Sequence, residues 1–111
     1  DIYALSDLLM FLSKAEAFGL VAAEAMSCGT PVLGLAGTSI SDFVIPNLTG
    51  ILVDDVCAIS ISDEIISCIG WSDIQNIEMR SNCRKHVEAT FSKSAVNPIY
   101  DALVENICLK K

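Results

Sequence analysis

Three short apolar runs, separated by segments with helical character, constrain the fold of this chain more than any other feature. The runs occupy residues 8–12, 31–35 and 51–53, and each has the length of a buried strand. Residues 19–28 predict a helix that ends at Gly29, where a left-handed residue commonly closes a helix. Strands joined through helices pair in parallel, because each crossover returns the chain to the same end of the sheet. We therefore predict an α/β fold with a partial Rossmann-like parallel sheet of about three strands and flanking helices.

The second half of the chain differs from the first because its apolar residues follow helical spacing. Three further helices are predicted there, at residues 57–69, 74–90 and 94–109. Ser92 is suited to cap the last of them. A shorter helix through Val44 is predicted from Ser39 and Asp42, which resemble a capping box. Neither a linker nor an internal repeat interrupts the sequence, so we expect residues 1–111 to form a single domain with a helical C-terminal half.

The composition limits the partners that this chain can have. Seven basic and fourteen acidic residues give a formal net charge of −7, which disfavours nucleic acid and anionic lipid because both need basic clusters. Hydrophobic residues make up 52% of the chain and the mean hydropathy is +0.53. No apolar run reaches the ~18 residues needed to cross a bilayer. We expect the surplus apolar surface to pack inside, against a partner chain, or against other parts of the same polypeptide.

The cysteine and histidine residues do not form a recognisable metal or catalytic pattern. The five cysteines include no Cys-x-x-Cys pair and are odd in number, so we expect free thiols in a reducing compartment. His86 stands alone among helical residues and is expected to pack or face solvent, because a catalytic histidine needs an oriented partner. Asn47, Leu48 and Thr49 match a glycosylation sequon, but in a chain without a secretory signal we expect them to form a turn.

The segment from Glu16 to Glu24 is the strongest candidate for a binding site. Backbone N–H groups from about Gly19 to Ala22 lack intrahelical partners, and the helix dipole adds about half a positive charge there. Such a helix end binds anions, and the missing side chain of Gly19 lets a ligand approach the backbone. Glu24 lies about 6 Å along the axis beyond Leu20, so the two glutamates can address different parts of one elongated ligand. The residues alone also allow a structural explanation, with Glu24 in solvent and Glu16 favouring the helix dipole.

The same segment resembles the signature of the family-4 glycosyltransferases, the large retaining group with the GT-B fold. The shared positions are Ser13, Glu16, Phe18, Gly19, Leu20, Glu24, Ala25, Met26, Gly29, Pro31 and Val32. The spacing of the two glutamates, the Phe-Gly-Leu, the Glu-Ala-Met and the Gly-Thr-Pro-Val all fall in register. The resemblance continues through residues 47–53 and covers about the first half of the chain. After Asp54 it is only architectural.

In that family the motif lies in the C-terminal Rossmann-like domain, which binds the nucleotide-sugar donor. The resemblance therefore implies that residues 1–111 are the latter part of such a domain. It implies that Glu16 acts at the catalytic centre, near hydroxyls of the transferred sugar, and that Glu24 binds the ribose hydroxyls of the nucleotide. Phe18, Gly19 and Leu20 would offer backbone groups to the sugar and the diphosphate.

The implied reaction is transfer of a sugar from a nucleotide-sugar to an acceptor hydroxyl, with retention of the anomeric configuration. The resemblance implies no cofactor and no obligatory metal. It implies a sugar or lipid-linked acceptor, as in polysaccharide or glycolipid biosynthesis, and an N-terminal domain supplied by the same polypeptide or by a partner chain. Because no secretory signal pattern is present, we expect a cytoplasmic enzyme. Peripheral attachment to the inner face of the membrane, through other parts of the protein, is left open.

Two departures from the family pattern keep a second hypothesis open. The family's Gly-Gly-x-x-Glu falls on Thr38, Ser39 and Asp42. The family's phosphate-binding Arg and Lys lie upstream of the motif, which leaves Lys14 as the only nearby cation. The alternative is a truncated or split, non-catalytic nucleotide-sugar-binding subunit that acts through a partner chain. A Rossmann-like module of another kind is disfavoured, because Gly-x-Gly-x-x-Gly and Gly-x-x-x-x-Gly-Lys are both absent.

Overall fold

The computed structural model describes residues 2–14 and 19–109, and within them three strands are flanked by helices. The elements in chain order are α1 (Ile2–Leu5), β1 (Leu9–Phe11), α2 (Leu20–Ser27), β2 (Val32–Leu35), a 3-10 helix (Ser39–Asp42), β3 (Gly50–Val53), α3 (Ala58–Ile69), α4 (Asp73–Phe91) and α5 (Lys93–Leu109). The predicted α/β class, the three strands and the helical C-terminal half are therefore confirmed. The one-turn helix α1 was not predicted from the sequence.

The three strands pair in the order β1-β2-β3, and both pairings are parallel. Leu9 lies opposite Val32, and Val32 lies opposite Gly50, so the strands run side by side from the same end. All four residues of the central strand β2 are buried, as expected of a parallel strand that is covered on both faces. The outer edge of β1 has no strand partner among residues 2–14 and 19–109.

Helices cover both faces of the sheet, because alternate strand residues point to opposite sides. On the first face, α2, the 3-10 helix and α4 enclose a core of Ala22, Met26, Val32, Ile40, Phe43, Val44 and Cys83. On the second face, α3 and Trp71 pack against Leu33, Leu35, Ile51 and Val53. The core is therefore divided by the sheet into two layers, and α5 has no buried residue in either of them.

Two predicted helix ends are confirmed in atomic detail. Gly29 follows α2 with a φ of 81°, the left-handed conformation expected of a residue that closes a helix. The Ser92 hydroxyl accepts a hydrogen bond from the Ala95 N–H at 3.2 Å, as expected of a cap for α5. The start of α4 has a capping box that was not predicted: Ser72 and Gln75 each accept from the other's backbone N–H.

The predicted capping box at Ser39 and Asp42 is wrong. Ser39 is the first residue of the 3-10 helix, Thr38 holds the capping position, and no side chain caps this helix. The Thr38 hydroxyl instead donates to the carbonyl of Leu35, the last residue of β2, at 2.6 Å. The helix also ends at Asp42 rather than Val44, because 3-10 geometry is seldom sustained for more than about one turn.

The sequon triplet forms a turn, as predicted. Asn47 has a φ of 63°, and its N–H donates to the Gly50 carbonyl at 2.9 Å. Thr49 is fully buried, and its hydroxyl accepts a hydrogen bond from the Ile45 N–H at 2.8 Å. Both polar residues of the triplet therefore help to form the connection that leads into β3.

Candidate functional site

The candidate site lies at the carboxyl edge of the sheet, where β1 and β2 lead into helical segments. The chain enters α2 at Leu20 after β1, and it enters the 3-10 helix at Ser39 after β2. The two strands are parallel and in register, so these two helix starts lie beside each other. Open α/β sheets bind their ligands in crevices outside the carboxyl ends of the strands. The described part of the motif, from Gly19 to Glu24, therefore lies where such folds bind their ligands.

The start of α2 offers unpaired backbone N–H groups. Gly19 is the N-cap, with a φ of 79° and a ψ of 47°, and its carbonyl accepts from Ala22 N–H at 3.0 Å and Ala23 N–H at 3.2 Å. In the described part of the chain, the N–H groups of Leu20 and Val21 have no acceptor. Together with the positive end of the helix dipole, these two groups can bind an anion.

Gly19 also has a structural role that the sequence did not reveal. A Cβ atom at this position would lie 2.4 Å from Cδ1 of Ile40, a fully buried residue of the 3-10 helix. The missing side chain therefore makes room for an internal contact. The predicted approach of a ligand to this backbone stays a prediction.

Helix α2 is covered on one side only. Ala22, Ala25 and Met26 are fully buried, whereas Leu20 is 64% and Val21 is 43% exposed. The other exposed residues of the helix are Glu24 and Ser27, which lie on the same side as Leu20 because residues four and seven positions apart share a helix face. This uncovered face of α2, formed by Leu20, Val21, Glu24 and Ser27, is available to a ligand or to another part of the protein.

Glu24 lies in solvent rather than in the apolar core. Its carboxylate has no hydrogen bond or ion pair within residues 2–14 and 19–109, while its carbonyl accepts from the Ser27 hydroxyl at 2.6 Å. A free carboxylate one turn beyond Leu20 can accept hydrogen bonds from the hydroxyls of a bound sugar. The structure thus brings Gly19, Leu20 and Glu24 together on one short helix.

The other two predicted site residues, Glu16 and Phe18, lie outside the described residues. Their roles at the sugar therefore stay predictions. In the sequence, both precede Gly19 by a few positions.

In the connection between β2 and β3, most of the hydroxyl groups donate hydrogen bonds to backbone carbonyls. Thr38 donates to the Leu35 carbonyl, and the Ser41 hydroxyl donates to the Thr38 carbonyl at 2.6 Å. The Ala36 N–H donates to the Val53 carbonyl at 2.8 Å, which ties the start of this connection to β3. Asp42 is exposed and is the one carboxylate of this segment, at the position where the family pattern has glutamate.

Both arginines of the chain, Arg80 and Arg84, donate hydrogen bonds to carbonyls at the C-terminal end of α2, away from Gly19. Arg80 donates to the carbonyls of Gly29 at 3.1 Å and Ser6 at 2.7 Å, and Arg84 donates to the Cys28 carbonyl at 3.4 Å. Cations at this end are stabilised by the negative end of the helix dipole. An eight-residue helix is ~12 Å long, so both guanidinium groups are too distant to contact an anion at Gly19. Lys14, which is exposed and follows β1, is the basic residue of the segment that leads to α2.

The cysteines are free thiols, as predicted. Burial raises the pKa of the Cys83 thiol to about 12, and its Sγ donates to the Thr49 carbonyl at 3.2 Å. Burial also raises the pKa of Cys68, whereas hydrogen bonds from the backbone N–H groups of Ser60 and Ile59 lower the pKa of Cys57. Within the described residues, no group of three His, Cys, Asp or Glu could hold a metal ion.

His86 lies half-buried on α4. Its Nε2 atom is buried and has no hydrogen-bond partner in the described ranges. The expectation that His86 is a packing residue agrees with this placement, since a catalytic imidazole needs a partner that orients it. No described helix is both long and apolar enough to span a bilayer.

A three-stranded parallel sheet flanked by helices, with a helix start at its carboxyl edge, is the arrangement found in Rossmann-like domains. The sequence model of the family described as "Glycosyl transferases group 1" matches residues 1–89. The chain belongs to this family of glycosyltransferases.

Known proteins of this kind resemble the chain in sequence and in fold. A D-inositol 3-phosphate glycosyltransferase of Gordonia bronchialis is 36% identical over 88 residues, which are 79% of this chain and 19% of that protein. The sucrose-phosphate synthase from Thermosynechococcus elongatus superposes with a TM-score of 0.87 and 30% identity, over 99% of this chain and 27% of that one. Anabaena HepE, solved in complex with UDP-glucose, gives a TM-score of 0.79 and 25% identity, over 94% of this chain and 29% of that one.

These likenesses confirm the predicted family and the GT-B type of fold. The chain spans less than a third of the length of these three proteins.

Proposed function

We propose that this chain is the latter part of the donor-binding domain of a glycosyltransferase that transfers a sugar from a nucleotide-sugar to an acceptor hydroxyl. The observation that carries the proposal is the placement of Gly19, Leu20 and Glu24 at a helix start on the carboxyl edge of the sheet. Membership of the glycosyltransferase family supports it. The likeness to HepE, which was solved with UDP-glucose, supports a nucleoside diphosphate sugar as the donor.

The proposed chemistry assigns a separate task to each part of the motif. The anomeric carbon–oxygen bond to the diphosphate breaks, a bond to the acceptor oxygen forms, and the acceptor hydroxyl releases its proton to the solvent. The leaving diphosphate gains negative charge, which the N–H groups of Leu20 and Val21 can stabilise at the start of α2. Glu24 accepts hydrogen bonds from the ribose hydroxyls, and Glu16 lies near hydroxyls of the transferred sugar. Backbone groups of Phe18 and Gly19 complete the contacts with the sugar and diphosphate.

We extend the proposal to retention of the anomeric configuration and to transfer without a cofactor or an obligatory metal, as the resemblance to the family signature implies. In metal-dependent transferases a metal ion neutralises the negative charge of the diphosphate. Here the N–H groups at the start of α2, together with Lys14, would stabilise that charge instead. Activity that survives EDTA supports this part of the proposal. Activity that EDTA abolishes and Mg²⁺ or Mn²⁺ restores contradicts it.

A further domain, in the same polypeptide or on a partner chain, would supply the acceptor site. Two features support such a partner: the uncovered face of α2 and the unpaired outer edge of β1. Beside this edge lies an open cavity of about 720 Å³, partly apolar, between β1, α3 and Trp71. We propose a sugar or lipid-linked acceptor in polysaccharide or glycolipid biosynthesis, on the cytoplasmic side of a membrane with peripheral attachment.

Calorimetry with UDP- and GDP-sugars tests the assignment of Glu24. We expect Glu24→Ala to weaken donor binding about tenfold or more, because a hydrogen bond to a charged group contributes ~1.5–3 kcal/mol. Glu105→Ala is the matched control, since it removes an exposed helical glutamate from α5 and should leave the affinity unchanged. If Glu24→Ala and the unmodified chain bind the nucleotide-sugars with equal affinity, the proposed contact of Glu24 with the ribose is contradicted.

The alternative function is a non-catalytic, split subunit that binds a nucleotide-sugar and acts through a partner chain. The placement of both arginines at the far end of α2, together with the net charge of −7, favours it, because neither can help to hold a diphosphate at Gly19. The two functions differ in turnover. Transfer or hydrolysis of the bound donor by the complete polypeptide supports the enzyme, whereas binding without turnover supports the subunit. Continuation of the reading frame upstream into a second α/β domain also favours the enzyme.

A further inference from the structure

The side chain of Ile40 lies in a notch formed by two glycines. A Cβ atom built on Gly19 would lie 2.4 Å from Cδ1 of Ile40, and one built on Gly34 would lie 2.4 Å from its Cγ2. Ile40 is fully buried, and it belongs to the core that joins the sheet to α2 and α4. The two branches of one isoleucine therefore occupy the space that both glycines leave open.

This contact joins three elements at the carboxyl edge of the sheet. Gly34 belongs to β2, Gly19 is the N-cap of α2, and Ile40 lies in the 3-10 helix between them in space. A β-branched side chain has a restricted χ1 angle, so both of its γ-carbons are held in fixed directions. The Cγ2 branch rests on the strand, and the Cδ1 branch rests on the start of the helix.

We propose that Ile40 is a positioning residue for the donor site, in that its Cδ1 branch sets the place of the α2 start relative to β2. The inference rests on the proposed function, because the N–H groups of Leu20 and Val21 at that start are the groups assigned to the diphosphate. Ile40 itself is buried and does not touch the donor. It acts through Gly19.

The physical reason is the dependence of hydrogen bonds on geometry. Backbone N–H groups bind an anion well only within about 0.5 Å of the right position, and a binding site keeps such precision only where packing supports it. Leu20 and Val21 are exposed, so within the described residues this first turn of α2 is packed through Gly19 and the fully buried Ala22. Besides Ile40, Phe43 lies close to Gly19, with its ring 3.6 Å from the built Cβ position.

The test is a single methyl deletion with a matched control, made in the full chain. Ile40→Val removes Cδ1 and keeps Cγ2, so it frees Gly19 while leaving the contact with Gly34. Ile51→Val makes the same deletion in the buried layer on the opposite face of the sheet. Hydrogen exchange by NMR is read at the amides of Ala22 and Ala23, both of which donate to the Gly19 carbonyl. Calorimetry with UDP and with GDP measures the affinity of the site.

We expect Ile40→Val to raise the exchange rates of these two amides, relative to the rest of α2, about fivefold. The dissociation constant of UDP or GDP should rise about fivefold as well. Ile51→Val should change neither beyond its effect on overall unfolding. Ile40→Leu keeps a δ-methyl that reaches Gly19, so it should restore the affinity even though it loses Cγ2.

Equal effects of Ile40→Val and Ile51→Val on Ala22 and Ala23 would overturn the proposal, and so would an unchanged affinity in a variant whose exchange rates rise. If the unmodified chain binds neither UDP nor GDP, the proposed function fails. The exchange rates then test the role of Ile40 by themselves. A rise in the exchange rates that occurs only in Ile40→Val would still show that Ile40 positions the start of α2.

Discussion

At Cys83, one thiol connects the core to the turn before β3. Cys83 is a fully buried residue of α4, and its Sγ donates to the Thr49 carbonyl. Burial raises its pKa from 9.0 to about 12. The folded chain therefore keeps this proton over a pH range in which the unfolded chain releases it.

This difference predicts a loss of stability at alkaline pH. Between about pH 9 and pH 12 the unfolded state binds fewer protons than the folded state, so the free energy of unfolding falls as the pH rises. Below pH 9 both states hold the proton and Cys83 contributes no pH dependence. Urea unfolding across this range should show a shallower fall in Cys83→Ala than in the unmodified chain.

Cys108→Ala is the control, because it removes an exposed thiol without opening the core. Identical slopes in Cys83→Ala and in the unmodified chain would contradict the assignment of the loss to Cys83.

Gly29 and Gly19 differ in how much of their structural role could be predicted from the sequence. Gly29 was predicted as a left-handed closing residue because it follows an apolar helix directly, and this is a local property. Gly19 was predicted from the same kind of local argument to admit a ligand. Its contact with Ile40 could not be predicted, since nothing in the sequence near Gly19 indicates which distant side chain packs there.

At the scale of the elements, α2 depends on long-range contacts, because eight residues are too few for a helix that is stable by itself. Arg80 bridges the Gly29 carbonyl at its C-terminal end and the Ser6 carbonyl in front of β1. The ion pair of Arg80 with Asp7, at 3.7 Å, adds little because the Asp7 carboxylate is fully exposed. The two carbonyl bonds are therefore the stabilising part of this contact.

Arg80→Met should lower the free energy of unfolding by ~1.5–3 kcal/mol, since it removes two charge-assisted hydrogen bonds from partly buried carbonyls. Arg84→Met is the matched control, because Arg84 is exposed and makes one longer bond to the Cys28 carbonyl. Chemical denaturation of both variants measures the difference. Losses of the same size in the two variants would argue against a special role for Arg80.

Two similar patterns of capping residues had different outcomes. Ser72 and Gln75 form a capping box at the start of α4, a helix of nineteen residues that can propagate beyond its first turn. Ser39 and Asp42 have the same spacing, but there the chain forms one turn of 3-10 helix. No side chain caps this turn, and its Ile40 packs into the glycine notch. Local patterns thus predict long helices better than short connections.

On the scale of the whole molecule, the chain is longer than a compact domain of its size. Its radius of gyration is 16.2 Å, and its longest dimension is 56 Å. A compact chain of this length has a radius of gyration of about 13 Å. The exposed helix α5 explains part of the difference, since large apolar side chains along it stay uncovered: Val96, Ile99, Tyr100, Leu103, Val104, Ile107 and Leu109.

This exposure predicts that charged residues are tolerated on α5. Ile99→Lys combined with Leu103→Lys should change the free energy of unfolding by no more than about 0.5 kcal/mol, as for other surface substitutions. Leu33→Ala, in the buried strand β2, should cost about 2–5 kcal/mol in the same assay. Light scattering should also show less self-association of the lysine variant, because it breaks an exposed apolar surface. A large loss of stability in that variant would mean that α5 packs against the domain.

The sequence by itself determined the three strands, the left-handed Gly29, the cap at Ser92, the helical second half and the family. Each of these follows from hydrophobic periodicity, turn chemistry or a motif, all of which act between neighbouring residues. The roles of Glu16 and Phe18 stay predictions. Only the tertiary structure decided the rest, because those contacts join distant parts of the chain: Arg80 lies 51 and 74 positions from its two carbonyl partners. In the same way, only folding brought Ile40 between Gly19 and Gly34 and left Glu24 exposed to solvent, one turn into α2.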